Sequence, residues 1–312
     1  MEGQDPTIQY PGKAATVNRG SSHTPTENGI SPTPKAQIAR AACLVLSAAI
    51  AGTLVMGAAL PDSDADPPII PVAYASAAEP AATAALVRTD PAEVARLGRA
   101  RYAATIRDYT CVFLKQERLG GKLGKREEIE VRFRENPKSI YMFWRRNTGD
   151  VRRSLMIDNN DFVDKKGRKV ARVEPNGAIV RLFCRDIKIP IHGKRARAAS
   201  RRSMDNFGFA ATFDLLDEYN TRANRNGELD FRYAGEGVVD GRPTYKLVRY
   251  LPYTGEGGQY PDALMVLHLD QEWLLPTAVY SYADHAGKKL LGSYVFTKVK
   301  LNVGLSDADF QF

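Results

Sequence analysis

The sequence predicts an α+β domain, a curved antiparallel β-sheet in the form of an unclosed half-barrel with a few covering helices, preceded by one transmembrane or signal helix. Roughly ten short segments alternate apolar and polar side chains with a period of two, as half-buried antiparallel strands do. Turn-forming pairs such as Gly120-Gly121, Asn159-Asn160, Asp240-Gly241 and Ala286-Gly287 separate them. Helical periodicity inside the domain is confined to two stretches, and one uncharged apolar run lies far upstream.

Residues 1–36 are rich in Gly, Pro, Ser, Thr and Asn. Such a segment buries too little apolar surface to offset ordering entropy, so it reads as a disordered cytoplasmic arm. Residues 37–60 are the transmembrane or signal segment. Ala41–Leu60 contains 20 residues without a charge, a length that spans a bilayer core. Lys35 and Arg40 precede it and Asp62, Asp64 and Asp66 follow, which places the N-terminus in the cytoplasm and the rest outside. The long arm favours a permanent anchor, whereas the small residues Ala73, Ala75 and Ala77 resemble a signal-peptidase site; the domain is periplasmic under both readings. Residues 61–88, rich in Pro and Ala, read as a linker.

The β-rich domain occupies residues 89–312. It begins with a helix capped by Asp90, with Pro91 in its first turn and Val94, Leu97 and Ala104 near one face up to about Arg107. The period then changes to two: Tyr109, Cys111 and Phe113 alternate along the first strand, and Ile129, Val131 and Phe133 along the next. Gly120-Gly121 supplies the hairpin between them. Further strands are expected at Ser139–Arg145, Arg153–Asp158, Asp161–Asp164, Lys169–Val173, Leu229–Gly235, Tyr245–Tyr250, Ala263–Asp270, Pro276–Ala283 and Tyr294–Leu301. A second helix is expected around Ser203–Asn220.

The chain carries 44 Lys and Arg against 36 Asp and Glu, a net charge of +8. Residues 1–78 hold 4 basic and 6 acidic side chains, leaving 40 basic against 30 acidic in the remainder. That surplus suits anionic partners. It is concentrated in Arg181–Arg202, with 8 basic residues and the single acid Asp186. Arg195, Arg197, Arg201 and Arg202 are the candidate contacts to an anionic surface; a solvated loop is the alternative. Nucleic acid is not an expected partner, because the domain lies outside the cytoplasm.

Cys111 and Cys184 are either a disulfide pair, permitted by export, or two small buried hydrophobes. No histidine stands in a catalytic or metal-binding spacing, and no nucleophile elbow, zincin motif or phosphate loop occurs. Asp307 and Asp309 read as surface acidity at a strand start, with paired carboxylates the alternative. The domain is therefore read as non-enzymatic, with no cofactor and no metal. Large apolar residues on the strands, Phe113, Phe133, Tyr141, Phe143, Phe231, Tyr245 and Phe296 among them, are candidates to line a concave face that accepts an acyl chain. A closed packed core is the competing reading.

Two segments resemble a known group. DYTCVFLKQER, with Phe113 and Gln116, is similar to the opening strand of the LolA/LolB lipoprotein-carrier superfamily. The closing run, with Leu305, Asp307, Phe310 and Phe312, is similar to its end, and the chain most closely resembles a bacterial domain family of unknown function grouped with those carriers. The resemblance extends over about residues 90–312. It implies an unclosed β-barrel with helical lids that binds lipid or lipoprotein acyl chains without catalysis. A structural or regulatory module that binds an envelope protein or an acidic polysaccharide is the alternative.

Overall fold

A computed structural model describes residues 78–178 and 186–312. The N-terminal arm, the apolar segment 41–60, most of the presumed linker and Cys184 lie outside the described residues. So does the question of a bridge to Cys111, which is itself buried. Among the described residues no helix is long and apolar enough to cross a membrane.

The chain enters through two helices, α1 (Ala78–Thr89) and α2 (Pro91–Thr105). Helix α1 begins inside the stretch read as linker, and its Val87 is fully buried. Asp90 caps α2 as expected, its carboxylate accepting the Glu93 amide at 2.9 Å, and Pro91 opens the first turn. The buried stripe is Pro91, Val94, Ala95, Gly98 and Tyr102, whereas Leu97 is 42% exposed and Ala104 is exposed. The expected face is corrected by about a quarter turn, because Tyr102 and Gly98 outweigh Leu97 in what they pack against. A Cβ on Gly98 would lie 2.4 Å from the Leu274 carbonyl oxygen and 2.9 Å from the Phe213 ring.

Among the described residues twelve strands form one antiparallel sheet: β1 (Asp108–Leu119), β2 (Lys122–Leu123), β3 (Glu127–Arg134), β4 (Ser139–Arg146), β5 (Val151–Ile157), β6 (Val170–Pro175), β7 (Ile187–Pro190), β8 (Asp230–Val239), β9 (Arg242–Tyr250), β10 (Leu264–Asp270), β11 (Pro276–Tyr282) and β12 (Leu290–Leu301). Their order is β7-β6-β5-β4-β3-β1-β12-β11-β10-β9-β8, with the two-residue β2 paired to the end of β1. The chain therefore meanders outward to β7, crosses to β8 and meanders back. The ends β7 and β8 do not pair, so the sheet is unclosed.

Most expected strands are present. Asp161–Asp164 is instead a 3₁₀ turn (Asn160–Phe162) followed by a single bridge from Val163 to Lys169. The side chain of Asn159 holds that turn by accepting the Asp161 amide at 3.0 Å. Strand β7 and helix α3 (Lys194–Ala199) arise within the basic stretch that was read as loop. The second long helix, α4 (Phe209–Arg225), starts later and ends later than expected, after a 3₁₀ turn at Met204–Asn206.

Inward residues Tyr109, Cys111, Phe113, Ile129, Val131 and Phe133 are all buried, as their alternation predicts. They share one core with Val87, Val94 and Tyr102 from the entry helices and with Phe209, Phe213 and Leu216 from α4. Aromatic contacts fix this junction: Phe209 lies 4.8 Å from Tyr109 and 4.6 Å from Phe296, and Tyr109 stacks on Phe133 at 4.7 Å. A buried ion pair, Arg249 to Asp262 at 3.2 Å, and a bond from Arg249 to Asn220 tie α4 to β9. The closing residues cross the opposite face of the sheet. Phe310 is buried there, and Leu305 and Phe312 pack around Leu155, Phe162 and Val170. Strand β5 is consequently covered on both faces, which accounts for the unbroken burial of Ser154, Leu155 and Met156.

Because Gly98 leaves no room for a methyl group between α2 and the turn before β11, Gly98→Ala is expected to destabilise the domain by about 1–3 kcal/mol. Urea denaturation of the two proteins measures this.

Candidate functional site

The concave face is filled unequally. Helix α4 packs over β1, β12 and β11 and helix α2 over the edge strand β8, whereas the side formed by β3 to β7 is roofed by α3 and the segment that follows it. A cavity of about 230 Å³ lies beneath this roof. Its walls come from β1, β3, β4, β5, β6, β7, β11 and β12, and Ile129, Met142, Val173, Met204 and Phe207 make them predominantly apolar.

The strand period explains both its apolar depth and its polar mouth. In β1 the inward row runs Tyr109, Cys111, Phe113 and then Lys115 and Glu117, both buried. In β3 the same row begins with Glu127 before Ile129, and Lys115 pairs across the ladder with Glu127. On β4 the inward residues are Ile140, Met142 and Trp144, and Trp144 donates from its indole nitrogen to Glu127 at 2.6 Å. The inward rows of β1 and β3 are thus apolar at one end and polar at the other, and the register stacks the polar ends together beside the Trp144 indole. Lys115 Nζ lies 3.5 Å from Glu117 and 3.3 Å from Glu127.

Glu117 is the centre of this mouth. Its carboxylate accepts from the Tyr294 hydroxyl at 2.8 Å, and from the Ser200 hydroxyl and the Arg201 amide at 3.2 Å each. Burial and the nearby Glu117 charge push the Tyr294 hydroxyl well above the usual tyrosine range, so it stays a donor. The last two bonds fasten the roof to β1. A second clasp joins the ends of the roof, where His192 Nε2 lies 3.0 Å from Asp205, whose carboxylate also accepts from Ser203 at 2.5 Å. Lys138 donates to the Asp205 carbonyl at 2.7 Å. The Arg201 to Glu256 pair at 3.3 Å holds the roof far less, because Glu256 is largely exposed and such pairs contribute about 0–1 kcal/mol. Hydrogen bonds to a buried carboxylate contribute about 1.5–3 kcal/mol each. Gly208 joins roof to α4 at φ 109°, where a Cβ would lie 2.8 Å from the Tyr109 hydroxyl.

Of the aromatic candidates, Phe113 and Phe296 line the cavity. Phe133 lies behind it, 6.2 Å from the lining Phe207. Tyr141 and Phe143 project from the other face of β4, where Tyr141 meets Phe312 and Phe143 lies between Arg145 and Arg152. The period of two is right there, but the inward set is Ile140, Met142 and Trp144. Phe231 and Tyr245 belong to β8 and β9 at the far edge, where Tyr245 meets Tyr233. Of the arginine candidates, Arg195 and Arg202 line the cavity mouth. Arg197 donates to the His192 carbonyl at 2.6 Å, and the Arg201 side chain is occupied by Glu256 and the Pro261 carbonyl. Residues 194–202 of the basic segment are therefore part of the cavity roof. Sequence reading missed Lys115, Glu117, Trp144 and Tyr294; the signal was available, since 115 and 117 continue the phase of 109, 111 and 113.

The histidines are dispersed. His268 lies 3.0 Å from the Thr244 hydroxyl, and burial together with Lys246 lowers its pKa below the usual value. His285 lies 3.0 Å from the Leu251 carbonyl. Among the described residues no three His, Cys, Asp or Glu side chains converge as a metal site.

Residues 106–312, more than half of the chain, match a family described as "Protein of unknown function (DUF1571)". The chain belongs to the DUF1571 family. The DUF1571 match starts where α2 ends and takes in the whole sheet and the cavity. No curated protein matches the sequence. Among solved structures the chain is similar to MucB, with 17% identity, 69% of this chain and 61% of that one covered, and a TM-score of 0.41. It thus spans less than two thirds of MucB. A DUF1329 family protein from Desulfovibrio piger gives 15% identity, 72% and 97% coverage and a TM-score of 0.37. The lipoprotein LppX from Mycobacterium tuberculosis gives 13%, 69% and 99%, and 0.34.

If Glu117 anchors the roof, Glu117→Ala should accelerate amide exchange at Ser200 and Arg201 about tenfold or more, with the helices α2 and α4 unchanged. Hydrogen–deuterium exchange with peptide mapping reads this directly.

Proposed function

We propose that this DUF1571 domain binds, without catalysis, the apolar chain of an amphiphile such as a lipid or a lipoprotein acyl group, on the periplasmic side of the cytoplasmic membrane. The observation that carries the reading is the roofed apolar cavity with a polar mouth. Burying an alkyl chain there removes apolar surface from water at about 25 cal/mol per Å², while the mouth keeps a polar head near solvent. Its location follows from the uncharged run 41–60 and the basic residues before it.

A neutral naphthylamine fluorophore, whose emission rises in apolar surroundings, tests the cavity in the full-length protein. Binding is expected in wild type and should fall about tenfold or more in Ala196→Trp and in Val151→Trp, which fill the cavity from roof and wall. Equal binding by all three proteins would favour the alternative, a module that holds an envelope protein or acidic polysaccharide on its outer surface. Lipid extracted from the purified protein and identified by mass spectrometry gives an independent answer.

For topology, a periplasm-dependent reporter fused after Phe312 should be active, and the chain should fractionate with membranes. A reporter active only in the cytoplasm contradicts the location.

A further inference from the structure

The charges at the mouth are not balanced evenly, and the imbalance specifies the head of the occupant. Glu117 is compensated by four donors: Lys115, Tyr294, Ser200 and the Arg201 amide. Lys115 is in turn shared between Glu117 and Glu127. Arg197 and Arg201 have the acceptors named above. Arg195 and Arg202 line the same mouth, and neither guanidinium has a carboxylate within ion-pair distance among the described residues. Arg202 is half-buried and lies over the Tyr294 ring at 5.4 Å, beside the residue whose hydroxyl Glu117 accepts. A half-buried guanidinium offers five donors in a planar fork that matches a carboxylate or phosphate. An anionic head gives those donors charge-assisted partners in place of water, and Arg195, which is exposed at the rim, adds a second positive charge.

Size restricts the rest of the molecule. Cavities that accept drug-sized ligands are about 300–1,000 Å³. At about 230 Å³ this one lies below that range, which favours one chain, partly enclosed, over two or three packed together. Resting on the cavity reading above, we infer that the occupant is a single-chain amphiphile with an anionic head, its chain running along Phe113, Met142 and Phe296 and its head on Arg202 and Arg195.

Trp144 lines the cavity and provides the readout. Trp273, stacked on Arg242 at 3.4 Å and outside the lining, is a constant background. Full-length protein in phosphatidylcholine nanodiscs is titrated with dibrominated stearate, with its methyl ester, and with a dibrominated diacyl phosphatidic acid, since bromine quenches indole emission on contact. Trp144→Phe marks the specific signal. The stearate anion is expected to bind about tenfold or more tighter than the ester and to lose that advantage as salt rises. The two-chain lipid should quench Trp144 weakly. Arg195→Gln with Arg202→Gln should remove the preference while ester binding persists, and Arg202→Lys, which keeps the charge, should retain part of it. Circular dichroism melts establish that each variant is folded. Equal affinity for anion and ester, or a preference that survives the double Gln variant, overturns the anionic head and leaves the cavity reading intact. Equal quenching by the two-chain lipid overturns the single chain. Absence of Trp144 quenching by every probe overturns the cavity reading and this inference together.

Discussion

The pairing of β1 with β12 is the constraint on which the rest of the domain depends. These are the first and last strands of the sheet, yet they lie side by side at its middle, with Phe113 opposite Phe296 and Lys115 opposite Tyr294. Both meanders hang from this seam, one on each side. The seam is reinforced by polar groups that sequence position alone does not bring together. Buried Asp108 accepts the Gly304 and Leu305 amides, and Asn302, held at φ 54°, accepts the Arg107 amide and donates to the Thr105 carbonyl. Contacts spanning nearly the whole domain carry a high loop-closure cost, so the sheet forms its centre only once both ends are available.

The same seam builds the cavity. Register across it places Phe113, Phe296 and Tyr294 on one wall and aligns the polar ends of the inward rows, where Glu117 then captures Tyr294 from across the ladder and Ser200 and Arg201 from the roof. Strand pairing, roof attachment and mouth chemistry are therefore one network. Buried carboxylates and lysines add little net stability, because desolvation offsets their attraction. Here the group at 117 positions a lid, which gives a physical reason for charge at the end of an otherwise apolar row.

On the opposite face the closing segment covers β5 and its neighbours with Phe310 and Phe312, and arginines stack on these rings: Arg134 on Phe310, and Arg153 and Arg172 on Phe312. That covering buries the outer side of strands that also form the cavity's far wall. It also uses Tyr141, which contacts Phe312, as a structural residue of the outer face. The aromatic side chains of one strand are thus divided between two jobs by a change of a single position.

Alternation, turn chemistry and capping by themselves determined that this chain makes a mostly antiparallel sheet with few helices, because each of those features is local: period two in β1 and β3, left-handed residues at Gly120-Gly121 and Asp240-Gly241, and the Asp90 cap. That the sheet stays open between β7 and β8 was decided by tertiary packing. Local features also identify Phe113 and Phe296 as inward residues. Only the tertiary structure decided which face of β4 looks inward, since alternation is symmetric between Tyr141 and Met142 until a partner covers one side. It alone turned the basic stretch into a roof, because β7 and α3 are too short to announce themselves and gain their stability from Lys169, Glu117 and the clasp to Asp205. The placing of Arg202 beside Tyr294, and with it the character of the mouth, follows from contacts between residues about ninety positions apart; such proximity is set by packing, and no local pattern in the sequence encodes it.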